Sequence, residues 1–338
     1  MSKSPYQPPY TLTPAMLRLV AEIGEMVGRY TALAEQALTP KLRRDNRIRT
    51  IHASLAIEAN TLTLEQVTAV IAGRRVLGPP REVQEVKNAF QAYEAMEQWD
   101  PSREADLLAA HGTLMAGLVD RPGAYRRGKV GVFRGKTLVH MAPPAARVPG
   151  LVANLLGWIA RTEEHPLVVA CLAHYELEFI HPFDDGNGRM GRLWHTLLLR
   201  TWRPLLAYLP VETVVHECQE DYYRALAESD RAGDASPFVM FMLGALSQAL
   251  ANAATDQVTD QVTDQVARLL RVFGGGEMKA GDLMAALKLS HKASFRTSYL
   301  DPALAGGWIE RTNPESPNSP MQSYRLTERG RKWVRDNE

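Results

Sequence analysis

The sequence predicts a mainly α-helical protein: a helical bundle with one small β-hairpin, followed by a C-terminal winged-helix domain. Three observations carry that expectation. Apolar residues recur at helical spacing from Pro14 to about residue 250. One stretch, 129–141, instead alternates β-formers around Arg134, Gly135 and Lys136. Residues 279–326 then run helix, turn, helix and two short strands.

Residues 1–13 are polar and Pro-rich and read as an extended arm. From Pro14, the positions Met16, Leu17, Leu19, Val20, Ile23, Met26 and Val27 form a helical stripe. Further helices are expected over 41–59, 63–72, 81–98, 103–117, 149–161, 165–179, 189–201 and 236–252. The hairpin 130–141, closed by Pro143 and Pro144, is marginal alone and is expected to pack on the helical body as a flap. At 255–266 the tetrad Thr-Asp-Gln-Val repeats three times, placing Val258, Val262 and Val266 on one narrow stripe. That stripe suits a connecting helix or, alternatively, a homodimer seam. The glycines 274–276 end it. Helices over 279–287 and 291–305 follow, then strands at 308–311 and 324–326, the order of a winged helix. Nine Lys/Arg against four Asp/Glu over 288–335, a difference of +5, permit DNA contact.

The 338 residues suffice for two domains, and 45% hydrophobic content excludes a disordered chain. A net charge of +1 supplies no global attraction to nucleic acid or membrane. Cys171 and Cys218 are far apart and lack a CxxC partner, so a disulfide framework and a structural zinc are not expected, and a reducing, cytoplasmic setting is. The start lacks the apolar core of a signal peptide, and no run of about 18 apolar residues predicts a membrane span.

The chemistry concentrates in residues 181–192. Pro182 ends the apolar helix 165–179, and Leu193, Trp194, Leu197 and Leu198 open the next one, so a tight loop feeds a helix N-terminus. Such an end favours phosphate, and Gly186 and Gly188 let backbone amides approach it closely. Arg189 and Arg192 can pair bidentately with phosphate oxygens, and Asp185 offers a hard oxygen to Mg²⁺. His181 can take a proton from an attacking hydroxyl near neutral pH. Together these describe phosphoryl or nucleotidyl transfer. Phe183 reads as a core anchor. His165, His174 and His181 do not make a His-Glu-x-x-His zinc pattern, and the Gly-x-Gly of 186–188 is neither preceded by a strand nor followed by Gly-Lys-[Ser/Thr], which excludes a P-loop.

Residues 181–192 resemble the Fic-domain signature His-Pro-Phe-x-[Asp/Glu]-Gly-Asn-Gly-Arg-x-x-Arg at every specified position. The likeness extends over roughly 50–245, including 123–128 before the hairpin and 222–226 after the core helices. It implies residues 1–100 as an N-terminal helical region, 101–253 as a catalytic core, 254–275 as a linker helix and 276–338 as the winged helix. It also implies a protein adenylyltransferase using ATP and Mg²⁺. His181 would deprotonate a Tyr, Thr or Ser hydroxyl of a protein substrate, and Asp185 would hold Mg²⁺. Gly186, Asn187 and Gly188 would cradle the α and β phosphates, Arg189 would position them, and Arg192 would grip the γ phosphate. Tyr222 and Tyr223 would lie toward the base, and Val139 and His140 on the flap would hold the target by strand addition.

Upstream, Ser54 and Glu58 resemble the family's inhibitory helix, [Ser/Thr]-x-x-x-Glu-[Gly/Asn], whose Glu pairs with the second motif arginine, here Arg192. The departure is Ala59 where Gly or Asn is expected, with Asn only at 60. The nest reads phosphates and not bases, so removal of AMP and transfer of UMP, phosphocholine or phosphate stay open alternatives. A further one is a winged-helix transcriptional regulator that uses the core as a nucleotide sensor.

Overall fold

The computed structural model describes residues 5–37, 40–128, 131–134, 137–260, 264–274, 276–315, 319 and 321–336. The chain divides into two compact units, 1–252 and 253–338.

In the first unit the arm leads into α1 (Pro14–Ala37), which buries Met16, Ile23 and Val27. Then come α2 (Pro40–Ile57), α3 (Leu64–Ile71), α4 (Pro80–Ala95) and α5 (Glu104–Leu114). The start of α3 is a full capping box: Thr63 accepts from the Gln66 amide, and the Gln66 side chain accepts from the Thr63 N–H. The hairpin β1 (Gly131–Arg134) and β2 (Thr137–Met141) is antiparallel. Its register slips between Val132 and Phe133, whose partners are His140 and Leu138, so Val139 is the bulged residue. The side chains of Val139 and His140 lie outside the described residues.

Helices α6 (Val148–Arg161), α7 (Pro166–Ile180) and α8 (Asn187–Trp202) follow. α7 is buried on nearly every side and packs along α8, with α6 against α7 and α5 against α8. That burial explains why α7 reads as an almost continuous apolar run instead of a stripe. Two helices stand where no stripe signalled them, α9 (Val211–Glu217) and α10 (Gln219–Ala232). α11 (Ser236–Asp260) ends the unit's helices and runs beyond its boundary. Residues Ser236–Ala253 of α11 reach a mean hydropathy of 1.2, long and apolar enough to cross a membrane. It is not an uninterrupted apolar run, since Ser247, Gln248 and Asn252 fall within it. Half of it is buried inside the protein, where Phe238, Met242, Leu243 and Leu246 are core residues.

The second unit contains α12 (Asp264–Val272), the two-residue strand β3 (Met278–Lys279), α13 (Ala280–Ala286) and α14 (Lys292–Phe295). A π-helical turn over 296–300 joins α14 to α15 (Asp301–Ala305). Strands β4 (Ile309–Arg311) and β5 (Ser323–Leu326) and helix α16 (Glu328–Asp336) complete it. β5 lies between β3 and β4, antiparallel to both. Leu269, Leu270, Leu283, Phe295, Trp308 and Ile309 centre its core. Val266, last of the repeated valines, is buried in that core, while the side chains of Val258 and Val262 lie outside the described residues.

Three buried imidazoles in the first unit carry a pH consequence. Burial lowers the pKa of His111, lowers that of His174 strongly, and brings that of His195 down to about 3. Above pH 6.5 both folded and unfolded chains keep these rings neutral. Below it the unfolded chain takes up protons that the folded chain refuses, so stability falls as the pH drops from 6.5 toward the folded values. At about 1.4 kcal/mol per unit, His195 alone removes about 2–3 kcal/mol between pH 6.5 and 4.5. Urea unfolding of wild type and His195→Phe over that range should show the variant losing less, by about one proton's worth of slope.

Candidate active site

The site is assembled at the junction of α7 and α8. α7 stops because His181 takes a left-handed conformation, φ 50° and ψ 59°, while its N–H still bonds Leu177 O at 2.9 Å. A non-glycine residue there costs about 1–2 kcal/mol and persists only where its surroundings over-determine it. The surroundings are visible. The Arg126 Nε donates to His181 O at 2.6 Å, and the Arg126 backbone N–H donates to Pro182 O at 3.0 Å.

The loop beyond is closed on itself. Asn187 Oδ1 accepts from the Phe183 N–H and its Nδ2 donates to Phe183 O, both at 2.9 Å. Asn187 is buried, and its side chain fixes the loop. Phe183 is fully buried, stacked on the His111 ring with centroids 3.7 Å apart and planes 4° from parallel. The Gly123 N–H donates to His111 Nδ1 at 2.9 Å, which leaves Nε2 as the protonated nitrogen, 3.1 Å from Asp185 O. His111 is thus a neutral prop under the loop, in keeping with its lowered pKa.

Gly186, at φ 86°, turns the chain into α8. A side chain there would be strained, and its Cβ would sit 2.6 Å from Met115 Sδ. The helix therefore opens at Asn187, earlier than the sequence indicated, and the motif arginines lie on α8 itself. The first-turn N–H groups of α8 have no carbonyl within the helix to bond, which makes this end an anion seat. Asp185 Oδ1 accepts from the Gly186 N–H at 2.6 Å and from Arg189 at 3.1 Å, and its Oδ2 accepts from Arg81 at 3.0 Å. The Asp185 side chain is nearly half exposed. One accessible carboxylate beside a phosphate seat fits Mg²⁺, which draws its remaining ligands from phosphate and water. No cluster of three metal-binding side chains occurs among the described residues.

The two arginines have different partners. Arg189 is buried and bonds Glu85 on α4 at 3.2 Å as well as Asp185. Arg192 is 2% exposed and points at the last turns of α2. Its Nε donates to Ser54 Oγ at 3.0 Å, and one terminal nitrogen donates to Ser54 O at 2.9 Å and to Glu58 Oε1 at 2.8 Å. Burial works against the Arg192 charge, but Glu58 beside it prevails and raises the pKa. A Cβ on Gly188 would fall 2.3 Å from Glu58 Oε1, so that carboxylate lies directly on the first turn of α8.

The end of this strap is tied to α4. Asn60 Nδ2 donates to Glu85 Oε2 at 2.9 Å and to Glu82 O at 3.2 Å, and Glu82 accepts from Thr61. The turn is made by Ala59 at φ 64°, the position where the sequence departs from Gly or Asn. An alanine pays about 1–2 kcal/mol for that conformation, more than the roughly 0.5–1 kcal/mol of extra chain entropy a glycine loses. Ala59→Gly should therefore stabilise the protein by about 0.5–1 kcal/mol, read as a rise in urea midpoint at constant slope.

His181, Asp185, Gly186, Asn187, Gly188, Arg189, Arg192, Ser54 and Glu58 are thus brought together. The tyrosines divide. Tyr222 is buried, its hydroxyl 3.1 Å from His174 Nε2 and its ring against Phe238. Tyr223 is half-buried, and its pKa is raised by burial first and by the charge of Glu58 second. Four participants went unassigned from sequence: Arg81, Glu85, His111 and Arg126. Arg126 stands within the 123–128 stretch that resembles the family, which was the available signal.

Residues 99–199 match the model of the Fic/DOC family, and residues 264–327 match that of the Filamentation induced by cAMP protein Fic-like, C-terminal domain. The crystal structure of a Fic family protein from Desulfovibrio desulfuricans G20 is 68% identical and superposes with a TM-score of 0.74, covering 96% of this chain and 99% of that one. This chain belongs to the Fic family. Fic-1 from C. elegans, at 20% identity and a TM-score of 0.58 over 73% of each chain, shares the Fic fold. Two curated Fic relatives are named protein adenylyltransferase Fic. The one from Culex quinquefasciatus is 30% identical over 230 residues, 63% of this chain and 43% of its own length. The one from Drosophila mojavensis is 30% identical over 213 residues, 59% and 40% respectively. The chain spans less than half the length of these curated relatives.

Proposed function

We propose that this Fic protein transfers AMP from Mg-ATP to a Tyr, Thr or Ser hydroxyl of a protein substrate, and that Glu58 restrains it. The observation that carries the reading is the order of groups along one turn: His181 fixed at the α7 end, then an anion seat at the α8 start flanked by Arg189 and Arg192. In that order a hydroxyl beside the imidazole faces the α-phosphorus of a nucleotide held on the seat.

The target oxygen attacks the α-phosphorus, the bond from that phosphorus to the oxygen bridging it to the β-phosphorus breaks, and pyrophosphate leaves. His181 takes the hydroxyl proton. Its αL turn and the Arg126 bond to its carbonyl hold the ring's origin still while it does so. The first-turn amides of α8 face the charge that develops on the phosphate oxygens. Mg²⁺, held by Asp185, would neutralise phosphate charge. Arg189 orients the α and β phosphates, and Arg192 awaits the γ phosphate.

The restraint follows from Arg192. A guanidinium that already holds a carboxylate at 2.8 Å cannot offer the same fork to a phosphate. The Glu58 carboxylate on Gly188 also repels a phosphate arriving at the seat. For the second unit we propose the winged-helix reading, with Lys292 exposed at the start of 292–300 and Arg296, also exposed, paired with Asp301 at 3.6 Å. Arg325 is paired with Glu310 and Arg329 lies over Trp308, so only part of that unit's basic excess is left for a DNA contact.

The deciding experiment incubates the protein with each tagged nucleotide and Mg²⁺ and reads the product mass. Adenylyl adducts with pyrophosphate release support the reading. Adducts of another group, or of none with the brake removed, overturn it.

A further inference from the structure

Arg126 is buried, and its guanidinium makes four hydrogen bonds to backbone carbonyls of three separate chain segments. Nε bonds His181 O at 2.6 Å, one terminal nitrogen bonds Gly128 O at 2.9 Å, and the other reaches Pro143 O and, at 3.3 Å, Ile180 O. Its backbone N–H adds the bond to Pro182 O. Gly128 lies just before β1 and Pro143 just after β2, so these are the two feet of the hairpin. Ile180, His181 and Pro182 are the turn that presents the imidazole.

A planar fork is the side chain suited to this task. A Lys ammonium would carry the charge but could not hold carbonyls in one plane at fixed angles. The usual core choice, an apolar residue, would leave those carbonyls without these partners. Burial opposes the guanidinium charge first, and the charge of Asp184 partly offsets that, leaving the pKa lowered. Such a costly residue is retained where it fixes geometry.

We propose that Arg126 is the positioning residue for His181 and the joint that registers both feet of the hairpin on the catalytic base. This rests on His181 acting as the base under the proposed function. Arg126 bonds backbone only at this turn, so it acts through His181 rather than on nucleotide or target. A displacement of the hairpin is then felt at the imidazole, and the nucleotide seat, which Asn187 and Gly186 shape independently, is not disturbed.

The test uses the full chain in the Glu58→Gly background, comparing Arg126 with Arg126→Lys. The affinity for a non-hydrolysable ATP analogue should change less than twofold, and self-labelling from a tagged ATP should fall tenfold or more. In imidazole nitrogen NMR spectra, the His181 signals, assigned with His181→Ala among the nine histidines, should move, while those of His174 and His195, buried within α7 and α8, should stay. An unshifted His181 signal with unchanged labelling overturns the proposal, and so does an equal loss of analogue binding. If the parent Glu58→Gly protein itself does not label, the functional reading fails with it; if the parent labels and Arg126→Lys labels equally, only this inference fails. A second measurement needs no variant. In the unaltered protein the Arg126 Nε–H should exchange with solvent slowly, as should the His181 amide, and fast exchange of the Nε–H would rule out the clasp.

Discussion

Glu58→Gly is expected to raise self-modification by a tagged ATP analogue ten- to a hundredfold. The carboxylate sits 2.8 Å from an Arg192 nitrogen and against the Cα of Gly188, so the variant frees both the guanidinium and the first turn of α8. If the strap leaves the seat open in one molecule in a hundred, apparent nucleotide affinity is reduced about a hundredfold, and the variant recovers that factor. The gain should appear chiefly in the nucleotide dependence, as a lower concentration for half-maximal rate. Glu58→Gln keeps the side chain's size but removes its charge and is expected to fall between the two. Ser54 continues to hold Arg192 in each variant, so the seat stays built. Equal rates for wild type and Glu58→Gly at every ATP concentration would sink the restraint.

The second large effect is expected from His181→Ala. Loss of a positioned general base lowers transfer by about 10²–10⁴-fold. Nucleotide binding should stay within a few-fold, because Asn187, Gly186, Arg189 and Arg192 hold the seat without the imidazole. The comparison is made in the Glu58→Gly background, with analogue affinity measured by calorimetry and transfer by labelling. Labelling that survives at the parent rate removes His181 as the base and leaves the site as a nucleotide seat only. Removing the imidazole also leaves an alanine in a left-handed turn, so His181→Asn, which tolerates that turn better, is the companion variant.

The site was legible in sequence to the extent that it is contiguous. His181 through Arg192 is one turn and one helix start, and spacing along the chain settles which groups face one another. Glu58 and Ser54 were reached only through their resemblance to the family's inhibitory motif, because nothing in the local pattern ties either of them to Arg192. Arg81, Glu85 and His111 were not legible: they are ordinary polar residues, two on α4 and one on α5, and what makes them matter is the approach of those helices to the loop. Long-range packing sets that approach, and no local pattern carries it. The same physics explains the fold. Helices with a sustained apolar stripe were found, whereas α10 is largely polar and buries only Tyr222, Ala225 and Ser229, and α9 is only two turns long, so each offers few apolar positions to read. β3 has two residues and exists because β5 offers it an edge.

The arm ahead of α1 has a consequence for the order in which this protein is made. Tyr6 bonds Glu176, its carbonyl accepts from Arg161, Pro9 O accepts from the Ala235 N–H, and Thr11 meets Asp234 and Ser236. Every one of these partners lies more than 150 positions later in the chain. At roughly 5–20 residues per second, a ribosome delivers Ser236 about 10–45 s after the arm has emerged. During that interval residues 5–13 wait without these partners while the helices downstream of them take shape. The arm is thus made well before its partners and is among the last segments to dock, fastening only once the α10–α11 corner has been built.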